Sequence, residues 1–190
     1  MPIAKHERSM VLSDMKFYKN KMKLKKILPP DFPWIYKEME NSFIKEEIRD
    51  FEDAKKILEN PRYSVYHIEY DGENIGFITV WELSDILFVE HFAVYEKYRN
   101  MGFGKAAIEL FCTLHENVFL EAEPPNTDIA SRRINFYKRC GFCVNEFPYM
   151  QPSYRGSGGE IELVIMSYGQ VLPCPEKTVK ELYKTVYGVL

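Results

Sequence analysis

The chain has 190 residues, of which 46% are hydrophobic, 28% charged and 15% aromatic, and its net charge is −3. That length and balance fit one globular domain with a sizeable core and exclude a disordered chain. The net acidity argues against a surface that coats nucleic acid, no apolar run approaches the ~20 residues of a membrane helix, and residues 1–6 lack the apolar stretch of a secretory signal, so a cytoplasmic protein is expected.

Residues 1–30 carry eight lysines and arginines against two acids. They read as a solvated N-terminal arm, residues 1–20, leading into an edge strand with outward lysines. The competing reading is a basic lead that touches an acidic partner. The strand is expected over 21–27. Pro29-Pro30-Asp31-Phe32-Pro33 then opens a helix, with Asp31 as its cap and Pro33 in its first turn. Phe51, Ala54 and Leu58 recur at helical spacing until Asn60-Pro61 ends that helix. Strands are expected over 64–70 and 74–82, joined by a hairpin turn at Asp71-Gly72. The run 86–94 is almost continuously apolar, as in a strand covered on both faces.

A turn over 95–105 leads into a helix in which Ala107, Leu110, Phe111 and Leu114 lie at i, i+3, i+4 and i+7. The next strand, 118–123, sets Val118, Leu120 and Ala122 on one face and Phe119, Glu121 and Glu123 on the other. A loop over 124–128 precedes a helix over about 129–140, closed by Gly141 as a left-handed cap. Strands over 143–147 and 161–166 flank a loop, 154–159, expected to be mobile. Val179, Leu182, Tyr183 and Val186 mark a tail helix opened by Pro175-Glu176. This stripe reads as packed on its own domain, against the alternative of an adaptor's docking face. The order β-α-α-β-β-β-α-β-α-β-β-α predicts an α/β chain of the α+β type, with one mixed sheet and helices on its faces. Residues 21–170 form the domain and 171–190 the C-terminal helix.

Cys140 and Cys143 make a C-x-x-C, the spacing of a redox or zinc motif. Gly141-Phe142 fills the gap at a helix end, and no second pair supplies the remaining ligands, so Cys112, Cys140, Cys143 and Cys174 are read as buried, reduced thiols and no metal is expected.

The chemistry lies in Phe92-Ala93-Val94 through Lys105. A buried strand delivers the chain to Arg99-Asn100-Met101-Gly102-Phe103-Gly104-Lys105, and a helix leaves it. A helix start offers unpaired N–H groups and partial positive charge, and glycines let the backbone approach an anion, so this turn should cradle a pyrophosphate. A Walker-type loop fails, since Arg99 and Ala106 stand where a glycine and a Ser or Thr are needed. A dinucleotide fingerprint fails because three strands precede the turn. A coenzyme A site remains.

The turn resembles the acyl-CoA-binding motif of the GCN5-related N-acetyltransferase (GNAT) superfamily. Phe92-Ala93-Val94 and Asn135-Phe136-Tyr137-Lys138-Arg139-Cys140-Gly141-Phe142 look like its flanking strand and second signature. The resemblance runs from about Ser64 to Met166. It implies a GNAT-like fold with a twisted mixed sheet, two parallel strands ending at Val94 and Glu123 that splay apart, and acetyl-CoA as acyl donor. It further implies that the pantetheine arm pairs near Phe92, Ala93 and Val94, that the Phe92 N–H polarises the thioester carbonyl, and that the pyrophosphate rests on backbone from Arg99 to Lys105. Tyr137 matches the tyrosine that protonates the leaving thiolate in many members. Arg132 or Arg133 reaches a CoA phosphate or is solvated. Pro124-Pro125 lengthens the loop at the mouth of the site.

Transfer to an amine requires the free amine, which at a pKa of about 10.4 is scarce near pH 7, so a carboxylate base is sought. Glu121 on the second splayed strand is the first candidate, where related N-terminal acetyltransferases carry a glutamate. Glu123 shares its face, and Glu90 is the runner-up, a lone acid in an apolar strand. His91 is assigned to the opposite face from Glu90, as a hydrogen-bonded core residue. The function expected is direct acetyl transfer from acetyl-CoA to a primary amine, on a small molecule or peptide, by a monomer or homodimer acting on neither nucleic acid nor membrane. The alternative is an inactive acyl-CoA-binding sensor. The segment 149–159, with Tyr154 and Arg155, is read as one wall of the acceptor pocket; Arg155 would suit a carboxylate or phosphate on the acceptor, against the favoured reading of a solvated loop arginine.

Overall fold

The computed structural model describes residues 21–154 and 159–189, so the expectations for the arm and for the middle of the loop containing Arg155 lie outside the described residues. Met22–Lys26 form β1, and a 3-10 turn, Pro29–Asp31, leads into α1, Phe32–Ser42. Asp31 does not cap α1. Its Oδ2 accepts from the Leu28 N–H at 3.3 Å, which closes the preceding turn instead. A 3-10 turn at Lys45–Glu47 precedes α2, Phe51–Lys56, and Tyr63–Tyr70 and Glu73–Glu82 form β2 and β3. Between them Asp71 and Gly72 both have positive φ, 52° and 87°, as the hairpin turn requires.

The chain continues through β4, Leu87–Val94; α3, Phe103–Leu114; β5, Val118–Ala122; and α4, Asp128–Arg139. Thr127 caps α4, its Oγ1 accepting from the Ala130 N–H at 3.1 Å. Gly141 has φ +92° and ends the helix left-handed, as its position predicts. Phe142–Val144 form β6 and Ile161–Tyr168 form β8. Between them Tyr149–Gln151 form β7, a short strand that the sequence reading did not assign. The tail is α5, Pro175–Leu182, continued by one widened π-helical turn, Tyr183–Tyr187.

The strand order is β1-β2-β3-β4-β5-β8-β6, with β7 also on β8. Among the described residues only the β4–β5 pair is parallel, and α3 makes its crossover. β1 is an edge strand whose Lys23, Lys25 and Lys26 are exposed. Apolar alternation along the strands builds a core on each face. Phe32, Ile35, Phe77, Trp81, Phe88, Phe119, Leu182 and Val186 pack on one side with α1 and the tail. Ile78, Val80, Val89, Ile108, Phe111, Leu120, Ile134 and Met166 pack on the other with α3 and α4. All four cysteines are free thiols. Cys112 and Cys140 are buried, but Cys143 on the outer strand β6 is half-buried and Cys174, just before α5, is exposed, so burial holds for only two of them. Among the described residues no helix is long and apolar enough to cross a membrane.

Candidate active site

The parallel ladder between β4 and β5 consists of Leu87↔Val118, Phe88↔Phe119 and Val89↔Leu120, although the strands run on to Val94 and Ala122. Past Val89 they separate, and a cleft of about 440 Å³ opens between them. Its walls include Glu90 to Val94 from β4, Leu120 to Glu123 from and just beyond β5, Phe136 and Tyr137 from α4, and Tyr154.

The local cause is a bulge. Pairing of β3 with β4 steps from Thr79↔His91 to Val80↔Val89, so Glu90 is an extra residue. A bulge bends its strand and increases its twist, which turns β4 away from β5. The Thr79 Oγ1 fills the kink and accepts the His91 N–H at 3.0 Å. The bulge also suspends the alternation of faces. Glu90 and His91 therefore lie on the same side, with the His91 Nδ1 3.5 Å from the Glu90 Oε2, and the assignment of His91 to the opposite face is corrected. His91 is a buried, hydrogen-bonded core residue: its Nε2 faces the Glu47 carbonyl at 2.9 Å and its Nδ1 the Thr79 hydroxyl at 3.2 Å.

Glu90 has a fully enclosed side chain, ion-paired to Arg49 at 2.5 Å and accepting from the Tyr154 hydroxyl at 3.1 Å. Burial alone would raise its pKa. The Arg49 guanidinium and the His91 contact outweigh that and bring it down to about 2, so Glu90 is ionised. Arg49 in turn donates to the Val186 carbonyl at 2.7 Å and stacks its guanidinium 4.3 Å from the centre of the Tyr154 ring.

Glu121 is the counterpart on β5, and it has no cationic partner among the described residues. Its Oε1 accepts from the Tyr149 hydroxyl, and its Oε2 accepts from Tyr187 at 2.7 Å and Gln151 at 3.1 Å. Burial pushes its pKa up, the three donors pull it back, and it settles at about 7. A carboxylate offers about four acceptor sites, so one remains beyond these three donors. Glu123 is paired with Arg133 at 2.8 Å near the surface. Glu47, on the 3-10 turn after α1, also lines the cleft, and burial raises its pKa.

Tyr137 reaches the cleft from α4, on the opposite face of the sheet from Glu121. It is buried, which pushes its pKa up to about 12, and among the described residues its hydroxyl has no hydrogen-bond partner. The turn at the cleft's end has Asn100 and Gly102 at φ +63° and +82°, a left-handed pair that reverses the chain into α3. The first helical bond there runs from the Ala106 N–H to the Gly102 carbonyl at 3.1 Å, so the N–H groups of Gly104 and Lys105 precede the ladder, where an anion can meet them. A Cβ on Gly104 would have Phe136 and Val94 as its nearest neighbours, at 3.6 and 3.7 Å. The Phe103 side chain is buried against Tyr70 and Tyr98, Met101 is exposed, and the Arg99 Nε donates to the Val94 carbonyl at 3.0 Å, which ties the turn to the strand end. Lys105 pairs with Glu109 at 3.7 Å. Arg133 lines the cleft, while Arg132 is exposed on the outer side of α4 and does not.

The structure thus gathers Glu90, Phe92, Ala93, Val94, Arg99, Gly104, Glu121 and Tyr137 about one cleft. Arg49, Glu47 and Tyr187 went unread in the sequence, and Tyr149 and Gln151 were read only as part of the 149–159 acceptor wall, with no role of their own. The one local sign of Tyr187 is the Tyr183/Tyr187 pair one turn apart in the tail. Arg49 carried no sign, because its partner lies 41 residues away.

The profile of the Acetyltransferase (GNAT) family matches residues 23–142. Among solved structures, a GNAT-family protein from Bacteroides thetaiotaomicron is similar at 31% identity and a TM-score of 0.84, over 88% of this chain and 99% of its own. A variant of spermidine N-acetyltransferase SpeG from Vibrio cholerae shares the fold at 14% identity and a TM-score of 0.59, over 78% of this chain and 93% of its own. So does the ribosomal-protein-S18-alanine N-acetyltransferase from Escherichia coli, at 18% identity and a TM-score of 0.56, over 80% and 95%. No curated protein sequence matches the chain.

Proposed function

Because the chain belongs to the GNAT acetyltransferase family and is an acyl-CoA-dependent N-acetyltransferase, we propose that it passes an acetyl group directly to a primary amine held beside Glu121. The observation that carries this reading is the strand gap beyond Val89 and Leu120, with Glu121 facing it from one side of the sheet and Tyr137 from the other.

The residues present fit acetyl-CoA, which supplies the acyl group as an activated thioester. The backbone of Gly102 to Lys105 would hold its pyrophosphate, and the free edge of β4 around Phe92 would pair with its pantetheine arm. The Phe92 N–H is the donor assigned to the carbonyl oxygen, where negative charge grows as the amine nitrogen attacks. Glu121, with a pKa of about 7, is poised to take the ammonium proton near neutral pH. The remaining pKa difference of about 3.4 units, roughly 4–5 kcal/mol, is reduced by desolvation of the amine. Tyr137 keeps its proton at neutral pH and can give it to the departing sulfur. As the C–N bond forms and the C–S bond breaks, Glu121 gains one proton and Tyr137 loses one, and exchange with solvent resets both.

Glu90 stays charged throughout but is balanced by Arg49, so its part in this reading is to fix Arg49 and Tyr154. Glu47, Glu121 and Glu123 against Arg133 leave that end of the cleft net acidic, which suits an ammonium acceptor.

The test is calorimetry with acetyl-CoA, together with thiol release across a panel of amines. Gly104→Glu should lose acetyl-CoA affinity, since the cradle has room for a Cβ but not for a carboxylate beside phosphates. Tyr137→Phe should cut turnover about 10²-fold or more with affinity intact. Unchanged affinity in the first variant would remove the cradle, and full turnover in the second would remove Tyr137 from the chemistry.

A further inference from the structure

The tail lies beyond the residues that the family profile matches, yet its last turn sits in the catalytic network. We infer that the C-terminal turn, Tyr183–Tyr187, is a working part of the site, with Tyr187 as the positioning residue that sets the orientation and protonation of Glu121. This inference rests on the reading of Glu121 as the base.

Two contacts carry it. The Tyr187 hydroxyl donates to the Glu121 Oε2 at 2.7 Å and accepts from the Gln151 Nε2 at 2.9 Å, so one oxygen of Glu121 is held by two groups that also hold each other. One residue earlier, the Val186 carbonyl accepts from Arg49 at 2.7 Å, and Arg49 holds Glu90. The last carbonyls of a helix have no partner within it and carry partial negative charge, so a buried guanidinium is well placed there. A single turn of chain thus touches the supports of both carboxylates that flank the gap.

The backbone explains how. The turn is a π-helical one, closed by Gly188 at φ +68° and by the Val189 N–H on the Tyr183 carbonyl at 3.0 Å. Widening the turn inserts a residue, so the tail aims the Val186 carbonyl and the Tyr187 ring at the site together. Leu182 and Val186 are buried in the core below, which gives the turn a rigid base.

The titratable groups around Glu121 are Tyr149 and Gln151's neighbour Tyr154 on one wall, Tyr183 and Tyr187 on the tail, and Glu90, neutralised by Arg49, across the gap. Of these, Tyr187 is the donor supplied by the tail; its hydroxyl also accepts from Gln151 at 2.9 Å and from Tyr154 at 3.5 Å, so Tyr187→Phe removes those bonds too, while the Tyr149 donor and the Arg49–Glu90 pair do not involve it. Loss of a donor to the charged form raises a carboxyl pKa.

The experiment compares the full-length wild type, Tyr187→Phe, Glu121→Gln and the double variant. With acetyl-CoA and the best amine of the panel, Tyr187→Phe should move the acidic limb of the kcat profile upward by about one pH unit. That is about a tenfold loss below the limb, with the KM for acetyl-CoA unchanged. In the Glu121→Gln background the same change should do nothing further. In parallel, 13C-glutamate NMR of the chain without substrates should show the Glu121 carboxyl, identified by its absence in Glu121→Gln, titrating higher in Tyr187→Phe. An unmoved kcat profile and an unmoved titration, beside an inactive Glu121→Gln, would overturn the role of the tail alone. Full turnover by Glu121→Gln would overturn the base assignment and this inference with it.

Discussion

Two buried glutamates meet this cleft in opposite electrical surroundings. Glu90 faces a guanidinium and is ionised, whereas Glu121 faces neutral donors and sits at about 7. Such a divergence separates a fixed charge from a group that can exchange a proton. The turnover number should therefore rise with pH through about 7 as Glu121 loses its proton, and a pH–rate profile flat from 5 to 8 would contradict its role. Glu90 acts on stability instead. Its pKa falls on folding from 4.5 to about 2, so its contribution is present above 4.5 and is lost as pH drops toward about 2. Glu90→Gln leaves Arg49 buried without its counter-charge and should destabilise the fold by about 3–5 kcal/mol in denaturant titration. Glu90 was legible as a lone acid in an apolar strand. Its partner was not, since nothing near residue 49 marks a residue that pairs across the fold.

Among the elements, β4 decides where the site lies. Its almost continuous apolar run is legible as a strand covered on both faces, and the bulge at Glu90 is not, because a run without alternation gives no sign of one inserted residue. That is why His91 was set on the wrong face. The turn after β4 was readable because its geometry demands special residues: Gly102 at positive φ and Gly104 two residues on are visible in one dimension. β7 escaped because three residues are too few to show a period. The far end of β4 is also held close. A Cβ on Gly76 of β3 would collide with the Ala93 carbonyl oxygen and lie 3.1 Å from the Val94 Cα. Gly76→Ala should push β4 off β3 at the point where Arg99 ties down the turn. The expected result is a loss of about 1–3 kcal/mol of stability together with weaker acetyl-CoA binding, read by thermal melting and calorimetry.

For the molecule as a whole, the mixed sheet with helices on both faces was predictable from short hairpins combined with two helical crossovers, and the β4–α3–β5 unit bears this out. The meeting of Arg49, β5, β7 and the tail at one site was not predictable, since no local pattern encodes contacts over 28 to 137 residues of separation. The sheet itself is two leaves, β1 to β4 and β5 to β8, and their common seam is three residue pairs long. A molecule lying along the open stretch of that seam would act as a clasp between the leaves. At one hundred times its dissociation constant, acetyl-CoA should stabilise the fold by about 2.7 kcal/mol and raise the melting temperature by about 5–10 °C. Hydrogen exchange should slow along Phe92 and Ala122, on both leaves at once, while β1 and β2 exchange as before.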